Sequence, residues 1–160
     1  MRIALGSDLR CELTAALERT LRERGFDLVL LGALDANGDD SWPTVGRVVG
    51  EAVARGECAQ GVVCCWTGTG VSIAANKVCG VRAALCSDEQ TARGARLWND
   101  ANVLALSIRS TTPALAQEIL AAWFSAEPEA QGKGAEMISA LKTADDTASE
   151  RRKQRGHAHA

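Results

Sequence analysis

Apolar positions along the chain fall into two alternating rhythms. Short, largely apolar runs at residues 2–6, 26–32, 61–65, 81–86 and 102–107 alternate with stretches in which apolar residues recur every three or four positions. The runs predict strands; the one at 61–65 is apolar at every position, as expected of a parallel sheet covered on both faces. The helical rhythm is clear in Leu13, Ala16, Leu17 and Leu21, which predict a helix to about Arg24, capped by Ser7 or Asp8 and stopped by Gly25. Trp42-Pro43 opens a second helix carrying Val45, Val48, Val49 and Val53, with proline suited to the first turn. Further helices are predicted at about 70–77, at 88–97, and from Thr111 or Thr112 with Pro113 to about Phe124. Met137, Ile138 and Leu141 give a weaker helical pattern over 129–143, interrupted by Gly132 and Gly134. Strands alternating with helices predict a doubly wound α/β domain: three layers around a five-stranded parallel, Rossmann-like sheet, plus a C-terminal helix, in a single domain over 1–143. From Ala144 the chain is polar and charged, which predicts a disordered tail over 144–160.

Ligands of such sheets bind beyond the carboxyl ends of the strands, near the switch in strand order. The informative loops therefore hold Asp8, Cys65 to Ser72, Ser87 with Asp88, and Arg109. The 97–101 segment enters the fifth strand from the other end, so Asn99 joins the site only if that segment folds over it or serves a neighbouring subunit. At 61–77 a strand ends in Cys65, and Thr67-Gly68-Thr69-Gly70-Val71-Ser72 turns into a helix. Glycine permits positive φ and close backbone approach, so several N–H groups can converge on an anion. A thiol beside a helix N-terminus has a lowered pKa and can serve as base for a carbon acid. The alternative is a buried strand-end cysteine followed by a tight turn without a ligand. Cys64 faces the other side of the sheet and reads as core. The glycine spacing matches neither a P-loop nor G-x-G-x-x-G, which disfavours nucleotide binding.

Composition narrows the function classes. Among 160 residues the formal net charge is −2, so no overall field favours nucleic acid or an anionic membrane. No apolar run approaches a membrane span and no secretory leader is evident, so a cytoplasmic location is expected. The six cysteines lack C-x-x-C spacing and are expected to be reduced thiols. The two histidines, His157 and His159, both lie in the polar tail, which excludes an imidazole mechanism and a histidine metal site in the body of the domain.

Five segments together carry a family resemblance: Gly6-Ser7-Asp8, Cys65-x-Thr67-Gly68-x-Gly70-x-Ser72-Ile73-Ala74-Ala75-Asn76-Lys77, Gly80-Val81-Arg82-Ala83, Asn99-Asp100-x-Asn102-Val103-Leu104, and Arg109. On these the chain resembles the RpiB/LacAB sugar-phosphate isomerases from Met1 to about residue 125. The resemblance implies interconversion of phosphorylated aldoses and ketoses through an enediolate, without metal or organic cofactor, in homodimers or dimers of dimers with sites between subunits. It implies that Cys65 is the base and that Thr67 leads an oxyanion turn continuing through Gly68, Thr69, Gly70, Val71 and Ser72. It further implies that Asp8 contacts sugar hydroxyls near the ring oxygen, that Asn99 helps hold the reacting oxygens, and that Arg109 meets the phosphate. Arg10, not a family match, lies close enough in sequence to Asp8 to offer a substitute anion contact.

The pattern also breaks. Leu9 stands where the family has a histidine, Trp98 replaces the histidine that helps open the sugar ring, and Trp66 replaces a glycine. The region that brings phosphate-binding arginines, about 129–142, offers only Lys133 and Lys142. The two indoles are expected near the same pocket, either reshaping it or filling core space. These changes suit a less charged, more apolar or already open-chain substrate. Two other readings stay open: an inactive relative that binds a different small metabolite, and a subunit that works with a related chain.

Overall fold

The computed structural model describes residues 1–157, with side chains described over 1–145 and at 147 and 150. The chain runs β1 (Arg2–Ser7), α1 (Glu12–Glu23), β2 (Asp27–Gly32), α2 (Trp42–Ala54), β3 (Gln60–Cys65), α3 (Thr69–Ala75), β4 (Ala83–Leu85), α4 (Glu89–Asn99), β5 (Val103–Ser107), α5 (Pro113–Ser125) and α6 (Gly132–His157). The five strands form one sheet in the order β2-β1-β3-β5-β4, every neighbouring pair parallel. The chain leaves β1 toward β2 on one side and returns at β3 on the other. The topological switch therefore lies between β1 and β3, where Ser7 pairs with Cys64.

Each face of the sheet owns a separate core. Ile3, Leu5, Val62, Cys64, Leu104 and Leu106 pack against α1, α4 and α5 through Leu13, Leu17, Ala92, Ile119 and Trp123. Ala4, Val63, Cys65, Val103 and Ala105 pack against α2 and α3 through Val45, Val49, Val71 and Ala75. The alternation of side chains along a strand produces this division. It sends Cys64 and Cys65, neighbours in sequence, into different layers. All six cysteines are free thiols.

Four boundaries differ from the sequence expectation. Helix α1 begins only after Cys11, whose N–H donates to Thr14 Oγ1 at 2.9 Å, so neither Ser7 nor Asp8 caps it. Ser7 Oγ instead accepts from Leu9 N–H and donates to Leu9 O, turning the chain at the end of β1. Helix α3 starts at Thr69 and ends at Ala75. Strand β4 spans only Ala83–Leu85, because Arg82 N–H is taken by Asn102 Oδ1 at 2.8 Å and Arg82 Nε by Asp100 O at 2.7 Å. Helix α6 continues through Ala144 to His157 where polar composition predicted a tail; residues 158–160 of that predicted tail lie outside the described residues. Polar contacts fix its middle: Lys142 Nζ meets Asp100 Oδ2 at 2.8 Å, and Asp145 Oδ2 accepts from Gly80 N–H.

Candidate active site

Ser7 pairs with Cys64 at the switch; Asp8 follows β1 there, and Cys65 is the last residue of β3. Cys65 is held by its neighbours on both flanks. It pairs in register with Ser107, and its carbonyl accepts from Ile108 N–H at 2.9 Å and Gly68 N–H at 3.2 Å. The residue is 5 % exposed, in the core packed against α2 and α3, while Cys64 is fully buried in the core on the other face. Burial pushes the Cys64 thiol far up its scale.

The turn after Cys65 is built around Gly68, the N-cap of α3, at φ +75°. A side chain there would meet the Leu106 carbonyl at 2.9 Å. Thr67 and Thr69 are exposed, and their hydroxyls lie 2.7 Å apart. The N–H groups of the turn divide in two. Gly68 N–H points back to Cys65 O, and Ser72 N–H donates to Gly68 O at 3.2 Å. Among the described residues, those of Thr69, Gly70 and Val71 have no acceptor. The oxyanion turn expected over Thr67 to Ser72 is therefore narrower: Gly68 shapes it and Ser72 closes it, while the first residues of α3 offer donors to a negatively charged oxygen.

Asp8 is half-buried, with Oδ1 sealed from solvent and unpaired. Desolvation raises its pKa, its own backbone N–H opposes this, and the negative charge of Asp40 in the β2–α2 loop adds to it. Arg10 does not answer that charge. Its guanidinium donates to the carbonyl of Leu34. Arg109, at the end of β5, is exposed; its N–H donates to Trp66 O at 3.1 Å, and its guanidinium has no hydrogen bond or ion pair among the described residues. Ser107 Oγ also donates to Trp66 O, at 3.0 Å. The Trp66 backbone is thus pinned from two sides while its indole stands 61 % exposed beside the turn, and Leu9 is exposed at the neighbouring strand end.

Asn99 and Trp98 lie elsewhere. They end α4, which runs back to the start of β5, where Val103 pairs with Gly61. The strand residues between Gly61 and Cys65 separate the two levels by roughly 13 Å. Trp98 is 58 % exposed and folds back over Gly94 of its own helix, where an added Cβ would sit 2.7 Å from the ring. Neither indole fills the core, and within one chain the two do not meet. Asn99 lines a recess of about 480 Å³ with Asn76, Arg82, Leu141, Lys142 and Asp145. Beside it Asp100, in the left-handed region at φ 47°, receives Arg82 at 3.0 Å, Lys142 at 2.8 Å and Arg96 at 3.6 Å. Sequence reasoning missed this clasp, since nothing in the spacing of its members marks it. Among the described residues no group of three or more histidine, cysteine or acidic side chains could hold a metal, and no helix is long and apolar enough to cross a membrane.

The family model described as Ribose/Galactose Isomerase matches residues 3–141. Ribose-5-phosphate isomerase B of Escherichia coli is 37 % identical over 145 residues, covering 88 % of this chain and 93 % of that protein. D-erythrulose-4-phosphate isomerase of Pectobacterium atrosepticum is 37 % identical over 132 residues, covering 81 % and 86 %. The solved structure of Clostridium thermocellum ribose-5-phosphate isomerase B superimposes with a TM-score of 0.82 at 36 % identity, covering 92 % of this chain and 99 % of that one. With a matching family model, relatives at this identity, and the same parallel sheet, the chain belongs to the ribose/galactose isomerase family.

Proposed function

We propose that this protein is an aldose–ketose isomerase of sugar phosphates in which Cys65 moves the proton between the two carbons. The observation that carries the reading is the placement of Cys65 at the β1/β3 switch, beside Asp8 and ahead of the free N–H groups of α3. The thiolate takes the proton from the carbon beside the carbonyl, and the charge that develops on oxygen meets the N–H groups of Thr69, Gly70 and Val71 with the hydroxyl of Thr67. Asp8 handles a sugar hydroxyl. Arg109 meets the phosphate, and it does so with little help: Lys142 is held by Asp100, Arg10 by Leu34. Asn99, at the far level of the sheet, reaches Cys65 only from a second copy of the chain, so the working unit is a homodimer or a dimer of dimers with the site between subunits. No metal or organic cofactor enters the scheme, and the protein acts in the cytoplasm.

The test is solvent deuterium. In D2O, deuterium is expected at C2 of ribose 5-phosphate and at C1 of D-erythrulose 4-phosphate. Cys65→Ala should lower the exchange by about 100- to 10,000-fold, the usual worth of a positioned base, with the fold intact by circular dichroism. Exchange that survives Cys65→Ala overturns the assignment of the base, and no exchange into either sugar overturns the activity.

A further inference from the structure

A sugar that cyclises must be opened before its C2–H is acidic, and opening requires a proton at the ring oxygen. Neither histidine lies in the body of the domain, and an indole cannot deliver that proton near neutral pH. Asp8 brings a carboxyl to the end of β1 at the switch. Its Oδ1 is sealed and accepts no hydrogen bond among the described residues, an environment poor for a carboxylate and tolerable for the carbonyl oxygen of a neutral acid. The cation nearest in sequence, Arg10, is committed to Leu34 O, and Asp8 forms no ion pair among the described residues. Of the three acids in the β2–α2 loop, Asp35 accepts from Asn37 N–H, Asp39 accepts from Ser41 N–H at 2.8 Å at the mouth of α2, and the negative charge of exposed Asp40 acts on Asp8.

We propose that Asp8 is the ring-opening acid of this site. This rests on the isomerase reading for its biological purpose, but the step stands alone chemically. Asp8 gives its proton to the ring oxygen. The bond from C1 to that oxygen breaks with its electron pair going to oxygen, and the anomeric hydroxyl loses its proton to water to become the aldehyde. Asp8 regains a proton from water, so nothing is oxidised or reduced. The open aldose then presents C2–H to Cys65, the adjacent strand end. The charged and titratable groups acting with Asp8 are Asp40 from the β2–α2 loop and Cys64 from β3, which in turn has Cys11 and Cys65 near it, while Arg10 donates to Leu34 O. Desolvation and Asp40 both hold the proton on Asp8 to higher pH than on an ordinary aspartate.

The experiment separates ring opening from isomerisation. In the Cys65→Ala background, exchange between the α and β anomers of ribose 5-phosphate is followed by NMR magnetisation transfer. Acceleration over buffer is expected, falling at high pH as Asp8 ionises. Adding Asp8→Asn should cut the acceleration about 100-fold or more. Adding Asp40→Asn should keep it at low pH and move its alkaline limb to lower pH, a shift that loss of packing alone does not give. Anomer exchange as fast with Asp8→Asn as without it, or no acceleration in the Cys65→Ala protein, overturns the assignment of Asp8. An unmoved alkaline limb overturns the assignment of that limb to Asp8. D-erythrulose 4-phosphate, whose C2 ketone has no hydroxyl placed to close a five- or six-membered ring, reports on the isomerase reading separately: deuterium exchange into it by the otherwise wild-type chain is expected, and its absence counts against Cys65 chemistry rather than ring opening.

Discussion

Replacing Gly68 with alanine tests how tightly the turn below the candidate base is specified. Two costs add. Gly68 sits at φ +75°, where an L side chain costs about 1–2 kcal/mol. The new Cβ would also lie 2.5 Å from Leu85 Cδ1 and 2.9 Å from both the carbonyl carbon and oxygen of Leu106. Leu85 is 39 % exposed and can swing aside. Leu106 is backbone in the buried strand β5 and cannot, so the turn itself must shift, at a typical overpacking cost of about 1–3 kcal/mol. Gly25→Ala supplies the reference, because Gly25 has nearly the same φ of +78° and nothing within 4 Å of an added Cβ. Urea unfolding of the two variants at equal protein concentration should show Gly68→Ala less stable than Gly25→Ala by about 1–3 kcal/mol. Equal losses would refute the reasoning, since the contact with Leu106 would then cost nothing.

Two further outcomes follow from the polar clasp and the buried thiols. Asp100→Asn keeps a residue that tolerates the left-handed region but removes the charge shared by Arg82, Arg96 and Lys142; a loss of about 1–3 kcal/mol is expected in urea unfolding, smaller at high salt because the group is 18 % exposed. Burial pushes the Cys86 thiol up from 9.0 to about 12, so its contribution to stability is complete below pH 9 and is lost as pH rises toward 12. Cys64 moves in the same direction, and the chain has no tyrosine to add to the titration. Unfolding midpoints should therefore fall between pH 8 and pH 10 by about 1 kcal/mol per thiol, and the combined Cys64→Ala and Cys86→Ala protein should show a flatter profile.

The layers of the fold were legible because each strand run and each helical stripe had its own period, and tertiary packing had only to bring them together. Strand β3 and helix α2 begin within a residue of their sequence signals. What was not legible depends on contacts distant in sequence. The C-terminal helix was expected over 129–143, but its continuation past Ala144 accompanies Lys142 and Asp145 finding Asp100 and Gly80, partners that no local pattern connects. Strand β4 is short because Arg82 turns to Asp100. At the site, the motif located Cys65 and the turn, but not which N–H groups the turn uses internally. It also could not show that Arg10 is bound to Leu34, or that Trp66 and Trp98 stand at opposite levels of the sheet.

The split of Cys64 and Cys65 between the two cores has a chemical corollary. Adjacent cysteines suggest a built-in repair pair, in which one sulfur attacks a sulfenic acid on the other and a reductant later frees both. Here the pleat directs the two sulfurs to opposite faces, and a strand hydrogen-bonded on both sides cannot rotate to join them. Peroxide damage at Cys65 therefore has no resolving thiol next door, and recovery depends on a soluble thiol small enough to reach the rim of the sheet before further oxidation makes the injury permanent.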